Sequence, residues 1–277
     1  MDSRPIGIFD SGVGGLSILQ EVRKLLPHEN LVYLADGANF PYGELTPERL
    51  CQITTGITAF LCRRGVKLVV VACNSATVAT LRHLRTTFPQ MPFIGVVPVV
   101  KTLAAETRTG TIALLSTPAT AHSAYLAGLI GEFASDKQVI NVGCPELAQL
   151  VEQGDRESER TRMLLQHYLA PIRASSADVL GLACTHYPFL RFALQGLLGP
   201  GMRVFDSSEP VARRVQAVLT ERDALGADQR PHSCFFSTGD QRRFAAIASR
   251  LLGVTLDHVE HVRIPHMQRG TDTLQQI

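Results

Sequence analysis

Val179-Leu180-Gly181-Leu182-Ala183-Cys184-Thr185-His186-Tyr187-Pro188 is an apolar run that stops at a thiol, a hydroxyl and an imidazole. A near copy stands earlier, as Leu68-Val69-Val70-Val71-Ala72-Cys73-Asn74-Ser75-Ala76-Thr77. In each, a strand-like run ends in Ala-Cys and a small polar residue opens what reads as a helix. The carboxyl end of a buried strand is where α/β folds place ligands. Two such thiols, one in each half of the chain, point to one site with two facing acid/base groups.

Outward from these stretches, strand-like runs alternate with helical patterns. Strands are expected over residues 6–10, 31–36, 68–73, 93–97, 111–116, 139–142, 179–184, 203–206 and 234–237. Between them, apolar residues recur at three- and four-residue spacing, as over 16–26 and 163–172. The strands are short and near-continuously apolar, as for strands covered on both faces. Such alternation predicts parallel sheets with crossover helices. Asp10-Ser11-Gly12 after the first strand and Asp206-Ser207-Ser208 after a late one add to the impression of two related halves. Pro98 and the stretch 207–210 are the expected crossover points, and the polar end from Pro265 onward is expected to fray.

The chain has 277 residues, 45% of them hydrophobic and 19% charged, enough for one large α/β domain or two ordinary ones. The formal charge is +2 and the basic pairs Arg63-Arg64, Arg213-Arg214 and Arg242-Arg243 read as solvated helix faces. Nucleic acid is therefore not the expected main partner. No apolar stretch approaches the roughly 20 residues of a membrane helix, and the start carries no signal-peptide pattern. The six cysteines, at 51, 62, 73, 144, 184 and 234, form no CxxC pair. Reduced thiols in a cytoplasmic protein are expected.

Ile8-Phe9-Asp10-Ser11-Gly12-Val13-Gly14-Gly15-Leu16 is a glycine-rich turn between strand and helix, a ready anion site. Asp36 stands about where a dinucleotide fold keeps its ribose acid. Against that reading, the third glycine of GxGxxG falls at Ser17, and Asp10 would repel a pyrophosphate. A carboxylate beside N–H donors suits a zwitterion better. The turn-rich loop from Asp36 to Gly43 follows a strand and belongs near the site on that ground. Cys51, Cys62, Cys144 and Cys234 read as small core hydrophobes. The matched contexts of Cys73 and Cys184 set those two apart. A free thiol is only slightly ionised at neutral pH, and a helix N-terminus or a cation raises that fraction. His186 can supply the charge or take the proton, whereas Asp10 alone would raise the Cys73 pKa. Cys-x-His lacks zinc-ligand spacing. A Cys184–His186 amidase would leave Cys73 without a role. Pyridoxal phosphate needs a lysine, and Lys24, Lys67, Lys101 and Lys137 all lie outside site-like contexts.

These residues together resemble the glutamate racemases, cofactor-independent members of the aspartate/glutamate racemase superfamily. The likeness runs from the first strand to about Arg214. It rests on Gly7 through Gly15, Pro41-Tyr42-Gly43, Ala72 through Ala76, Cys144-Pro145-Glu146 leading to Val151-Glu152-Gln153-Gly154, and Ala183 through Pro188. The resemblance implies that Cys73 and Cys184 are acid/base thiols on opposite faces of a substrate Cα. It implies that Asp10 and His186 assist them, with Glu152 near the second. It assigns substrate binding to Asp10, Ser11, Tyr42, Gly43, Asn74, Ser75, Thr185 and His186. Gly37 and Ser75 depart from the residues common in the family, as slightly does Asp206-Ser207-Ser208. The implied fold, in accord with the internal repeat, is α/β: two related three-layer domains with parallel sheets and the active site in the cleft between them. The boundaries are placed at 1–97 plus 208–277 for the first domain and 98–207 for the second.

The expected function is interconversion of L- and D-glutamate by a two-thiol proton transfer, with no cofactor and no metal, supplying D-glutamate for peptidoglycan. A single base would mostly return its proton to the same face, so inversion calls for two. An aspartate racemase and a non-catalytic binding module for an acidic amino acid remain as alternatives. Glutamate is the expected small-molecule partner, a membrane is not, and the oligomeric state, a homodimer among the options, stays open.

Overall fold

The computed structural model describes residues 1–265. The first sheet contains β1 (Ile6–Asp10), β2 (Leu31–Ala35), β3 (Leu68–Val71), β4 (Phe93–Gly95), β9 (Ser233–Ser237) and β10 (Glu260–His261). The second contains β5 (Thr111–Ser116), β6 (Gln138–Gly143), β7 (Val179–Ala183) and β8 (Arg203–Asp206). All pairings among the described residues are parallel. The orders are β10-β9-β2-β1-β3-β4 and β6-β5-β7-β8. The first four strands of each sheet thus run second, first, third, fourth. The internal repeat is topological, and Cys73 and Cys184 each follow the third strand of their sheet.

Helices flank the strands: α1 (Leu16–Leu25), α2 (Pro47–Arg63) and α3 (Asn74–Thr87) in the first part. Then come α4 (Val100–Glu106), α5 (Pro118–Ala121), α6 (Ala124–Phe133), α7 (Leu147–Glu152), α8 (Glu159–Arg173) and α9 (Arg191–Leu198). Finally, α10 (Ser208–Glu221) and α11 (Gln241–Leu252) accompany the return to the first sheet. The chain leaves the first sheet after Gly95, enters the second at Thr111, and comes back between Asp206 and Ser233. In α1 the apolar positions Leu16, Ile18, Leu19 and Val22 are all buried, as their spacing requires. One apolar cluster runs from Ile8 and Val70 of the first sheet through Leu115 and Leu182 of the second, so both halves share core.

Several expectations are corrected. The Asp-Ser ends are not equivalent: Asp10 ends the central β1, whereas Asp206 ends the edge strand β8, and the counterpart of Asp10 is Ser116. The strands stop one or two residues before Asp36, Cys73, Val97 and Cys184, because the chain there turns toward the next helix. After Cys184 the helix begins as a 3-10 turn, Tyr187–Leu190, with Pro188 in its first turn, where a missing N–H costs nothing. Cys234, near the start of β9, is exposed and is no core residue. Edge strands β6 and β8 are only partly buried. Arg64 is exposed as expected, and its guanidinium also lies over the Phe60 and Phe236 rings. Beyond Pro265, the fraying end lies outside the described residues. Among the described residues, no helix is long and apolar enough to cross a membrane.

Candidate active site

The carboxyl ends of the two sheets meet. Phe9 pairs with Val71 and Ser116 with Ala183. Continuing both ladders sets Ser11 beside Cys73 and Thr117 beside Cys184. The two thiols are each 7% exposed and line one cavity of about 40 Å³. Ser11, Tyr42, Gly43, Asn74, Ser75, Thr185 and His186 line it as well, so most of the residues singled out from the sequence converge. Thr117, Ala148, Phe40 and Pro41 line it too. Of these, Thr117 had a readable signal: it follows its half's first strand as Ser11 does. Ala148 had none.

Asp10 sits behind this lining, fully buried. Its carboxylate accepts from Ser11 Oγ (3.2 Å), Gly12 N (2.8 Å) and, across the halves, Thr185 Oγ1 (3.0 Å). Burial raises its pKa, partly offset by His186 and the Gly12 N–H. Burial, then the Asp10 charge, pushes the Cys73 thiol well up, against hydrogen bonds from Ala76 N–H and Ser11 that favour the thiolate.

The second thiol has different company. Cys184 Sγ lies 3.7 Å from His186 Nδ1, and His186 Nε2 lies 2.7 Å from Glu152 Oε1. Burial disfavours a charged imidazole, but the hydrogen bonds to Cys184 and Glu152 outweigh it and hold His186 well above its ordinary pKa. The Phe40 ring packs on the imidazole at 5.7 Å between centroids. Glu152 ends α7 and does not line the thiol cavity; it lines a neighbouring one of about 380 Å³. Val13 N donates to Glu152 Oε1 at 2.6 Å, and Arg243 Nη2 reaches the Glu152 carbonyl at 3.4 Å. Arg243 is exposed, as expected of a solvated face, and lies at the rim of that neighbouring cavity.

The glycine-rich turn owes its glycines to this convergence. A Cβ on Gly12 would sit 1.9 Å from Glu152 Oε1, and one on Gly14 2.4 Å from His186 Nδ1. The space a dinucleotide phosphate would need is filled by protein. Ser17, the residue that breaks GxGxxG, donates to the carbonyls of Gly14 (2.9 Å) and Thr185 (3.0 Å) and ties α1 to the second half. Tyr42 is 1% exposed, and its phenol donates to Asp36 Oδ2 at 2.7 Å, away from the cavity. Asn74 opens α3 with both side-chain amide atoms buried and unpartnered. A buried amide without partners is costly, so this one is a candidate ligand contact. No lysine lines the thiol cavity; Lys67 is buried elsewhere against Glu29. Among the described residues, no group of three or more His, Cys, Asp or Glu is placed to hold a metal.

Residues 16–215 match the Asp/Glu/Hydantoin racemase family. A glutamate racemase of Stutzerimonas stutzeri (strain A1501) is 45% identical over 249 residues, 90% of this chain and 94% of its own. Among solved structures, a glutamate racemase isoform from Bacillus anthracis superposes with a TM-score of 0.88 at 31% identity, covering 96% of this chain and 100% of the other. The Escherichia coli glutamate racemase, solved in complex with L-glutamate and the activator UDP-MurNAc-ala, gives 0.84 at 32% identity over 95% of this chain and 99% of its own. Two parallel-sheet halves with facing thiol-bearing strand ends are accordingly the frame of an amino-acid racemase, and the chain belongs to the Asp/Glu/Hydantoin racemase family, among its glutamate racemases.

Proposed function

We propose that this protein interconverts L- and D-glutamate by removing the Cα proton with one thiolate while the other thiol protonates the opposite face. The observation that carries this reading is the placement of Cys73 and Cys184 at equivalent strand ends on one small cavity. The cavity is narrow in the empty protein, and on this reading the halves part to admit glutamate. Closure then dries the site, where fixed dipoles stabilise the developing carbanion most strongly. Ser11, Asn74, Ser75 and Thr185 offer hydroxyl and amide groups to the substrate carboxylates, and Asp10 balances the ammonium. Asp10 assists Cys73; His186, held by Glu152, assists Cys184. The L-glutamate complex of the E. coli relative supports glutamate as substrate. The D-enantiomer would serve peptidoglycan synthesis, as the family resemblance implies.

The test is incubation with L-glutamate in D2O, with a chelator and without pyridoxal phosphate. Loss of optical rotation should accompany deuterium at Cα of the D-product, and L-aspartate should turn over far more slowly. Cys73→Ala and Cys184→Ala should each abolish racemisation. Full activity in either variant would sink the two-thiol reading.

A further inference from the structure

One carboxylate stands at the edge of the site without touching the thiol cavity. Asp36 follows β2, 1% exposed. Because Ala35 pairs with Ser237, the next residues of the two strands, Asp36 and Thr238, emerge side by side. Thr238 Oγ1 donates to Asp36 Oδ1 at 2.5 Å and accepts from Ala38 N at 3.2 Å. Asn39 Nδ2 donates to both carboxylate oxygens, at 3.1 and 3.0 Å. The Tyr42 phenol donates to Oδ2 at 2.7 Å. Donors from within the loop and from the segment after β9 therefore converge on one buried anion. That loop supplies Phe40, Pro41, Tyr42 and Gly43 to the cavity wall, and Phe40 is the residue packed on His186.

We propose that Asp36 is a positioning residue for racemisation: with Thr238 and Tyr42 it fixes the loop 37–43 so that Phe40–Gly43 form the substrate wall. This inference rests on the two-thiol reading. The Tyr42 hydroxyl is spent on Asp36, so Tyr42 meets the substrate through its backbone or ring, not its phenol. A carboxylate suits the position because every side chain named here donates to it. An amide would turn two N–H groups toward donors. The hydroxyl at 238 comes from the segment after the second sheet, so the returning part of the chain shapes a wall built by its first sixth.

The experiment compares Asp36→Asn, Tyr42→Phe, Thr238→Val and Thr238→Ser in initial-rate assays with each glutamate enantiomer. The expected result for Asp36→Asn is a KM raised about fivefold to tenfold with kcat changed less than about twofold, as for loss of an interaction equal in ground and transition states. Tyr42→Phe should raise KM in the same direction, and the double variant should be no worse than Asp36→Asn alone. Thr238→Ser should restore the wild-type KM that Thr238→Val loses. A merely structural role would lower the folded fraction and the melting temperature, with KM of the remaining enzyme unchanged. That outcome would overturn the proposal, as would multiplicative effects of Asp36→Asn and Tyr42→Phe. If Asp36→Asn fails to fold, the Tyr42 and Thr238 variants decide alone. Failure of the two-thiol reading is separate, since it appears as racemisation by Cys73→Ala or Cys184→Ala.

Discussion

Gly12→Ala adds one methyl where the halves meet, and the structure says what it does. The new Cβ would lie 1.9 Å from Glu152 Oε1, 2.5 Å from Cδ and 2.8 Å from Oε2. Restoring an ordinary contact of about 3.5 Å displaces the carboxylate by at least about 1.5 Å. Oε1 now accepts from Val13 N at 2.6 Å and faces His186 Nε2 at 2.7 Å; neither contact survives such a move. A hydrogen bond to a charged group is worth about 1.5–3 kcal/mol. If the His186 contact acts in the transition state, its loss lowers kcat about tenfold to hundredfold. The assay is circular dichroism of glutamate racemisation, with kcat and KM measured separately in both directions. Removing the carboxylate makes room for the methyl, so Gly12→Ala combined with Glu152→Ala should be no slower than Glu152→Ala alone. A kcat within about twofold of wild type for Gly12→Ala, or a double variant slower by the product of the two effects, would refute the reasoning.

Three further outcomes are expected. Asn74→Ala deletes a buried amide with no protein partner; KM for glutamate should rise about tenfold while the melting temperature holds or increases, since the deleted group costs the empty protein about 1–3 kcal/mol. Lys67→Met breaks an ion pair whose side chains are 1% and 2% exposed and strips a donor from the carbonyls of Asp2 and Ala224. Chemical denaturation should show a loss of about 3–5 kcal/mol, partly recovered by adding Glu29→Gln, with kcat of the folded enzyme intact. His186 is held above its ordinary pKa, so its stabilising contribution is complete below about pH 6.5 and is lost as pH rises through the raised value. Melting temperatures of the wild type should therefore fall more steeply on the alkaline side than those of His186→Asn; parallel curves would contradict the assignment.

The features that set the fold are local. A strand that ends in Ala-Cys announces itself through its own apolar residues, and so does the alternation that makes the sheets parallel. Cys73 stood out through its match with Cys184 and Asp10 through its place in the glycine-rich turn, while Asn74 came forward as a substrate contact through the resemblance. Long-range partners are another matter. Glu152 contacts Val13 from 139 residues away, and no spacing rule encodes that reach; only the family resemblance brought Glu152 forward. The likeness of Asp206 to Asp10 misled because two letters recur while strand order decides equivalence. Asp206 instead pairs with Arg191 and receives the Ser208 N–H. The side-chain direction of Tyr42 was equally hidden, since its partner Asp36 looked like a turn residue.

The repeat makes the two thiols equivalent in position and leaves them unequal in chemistry. At the end of β1 stands Asp10; at the end of β5, its topological counterpart, stands the uncharged Ser116. The first thiol therefore faces a buried anion that opposes its ionisation, and the second faces an imidazole that its hydrogen bonds to Cys184 and Glu152 hold above its ordinary pKa. Under the proposed two-thiol mechanism, a thiolate at Cys73 needs a cation beside Asp10, and the substrate's own ammonium is the one the reaction supplies. At Cys184 the protein provides the cation in advance. On the proposed two-thiol reading, ionisation of Cys73 is thus coupled to substrate arrival, while Cys184 has an imidazole beside it in the empty site. Thr185 Oγ1, donating to Asp10 across the halves, joins the two arrangements.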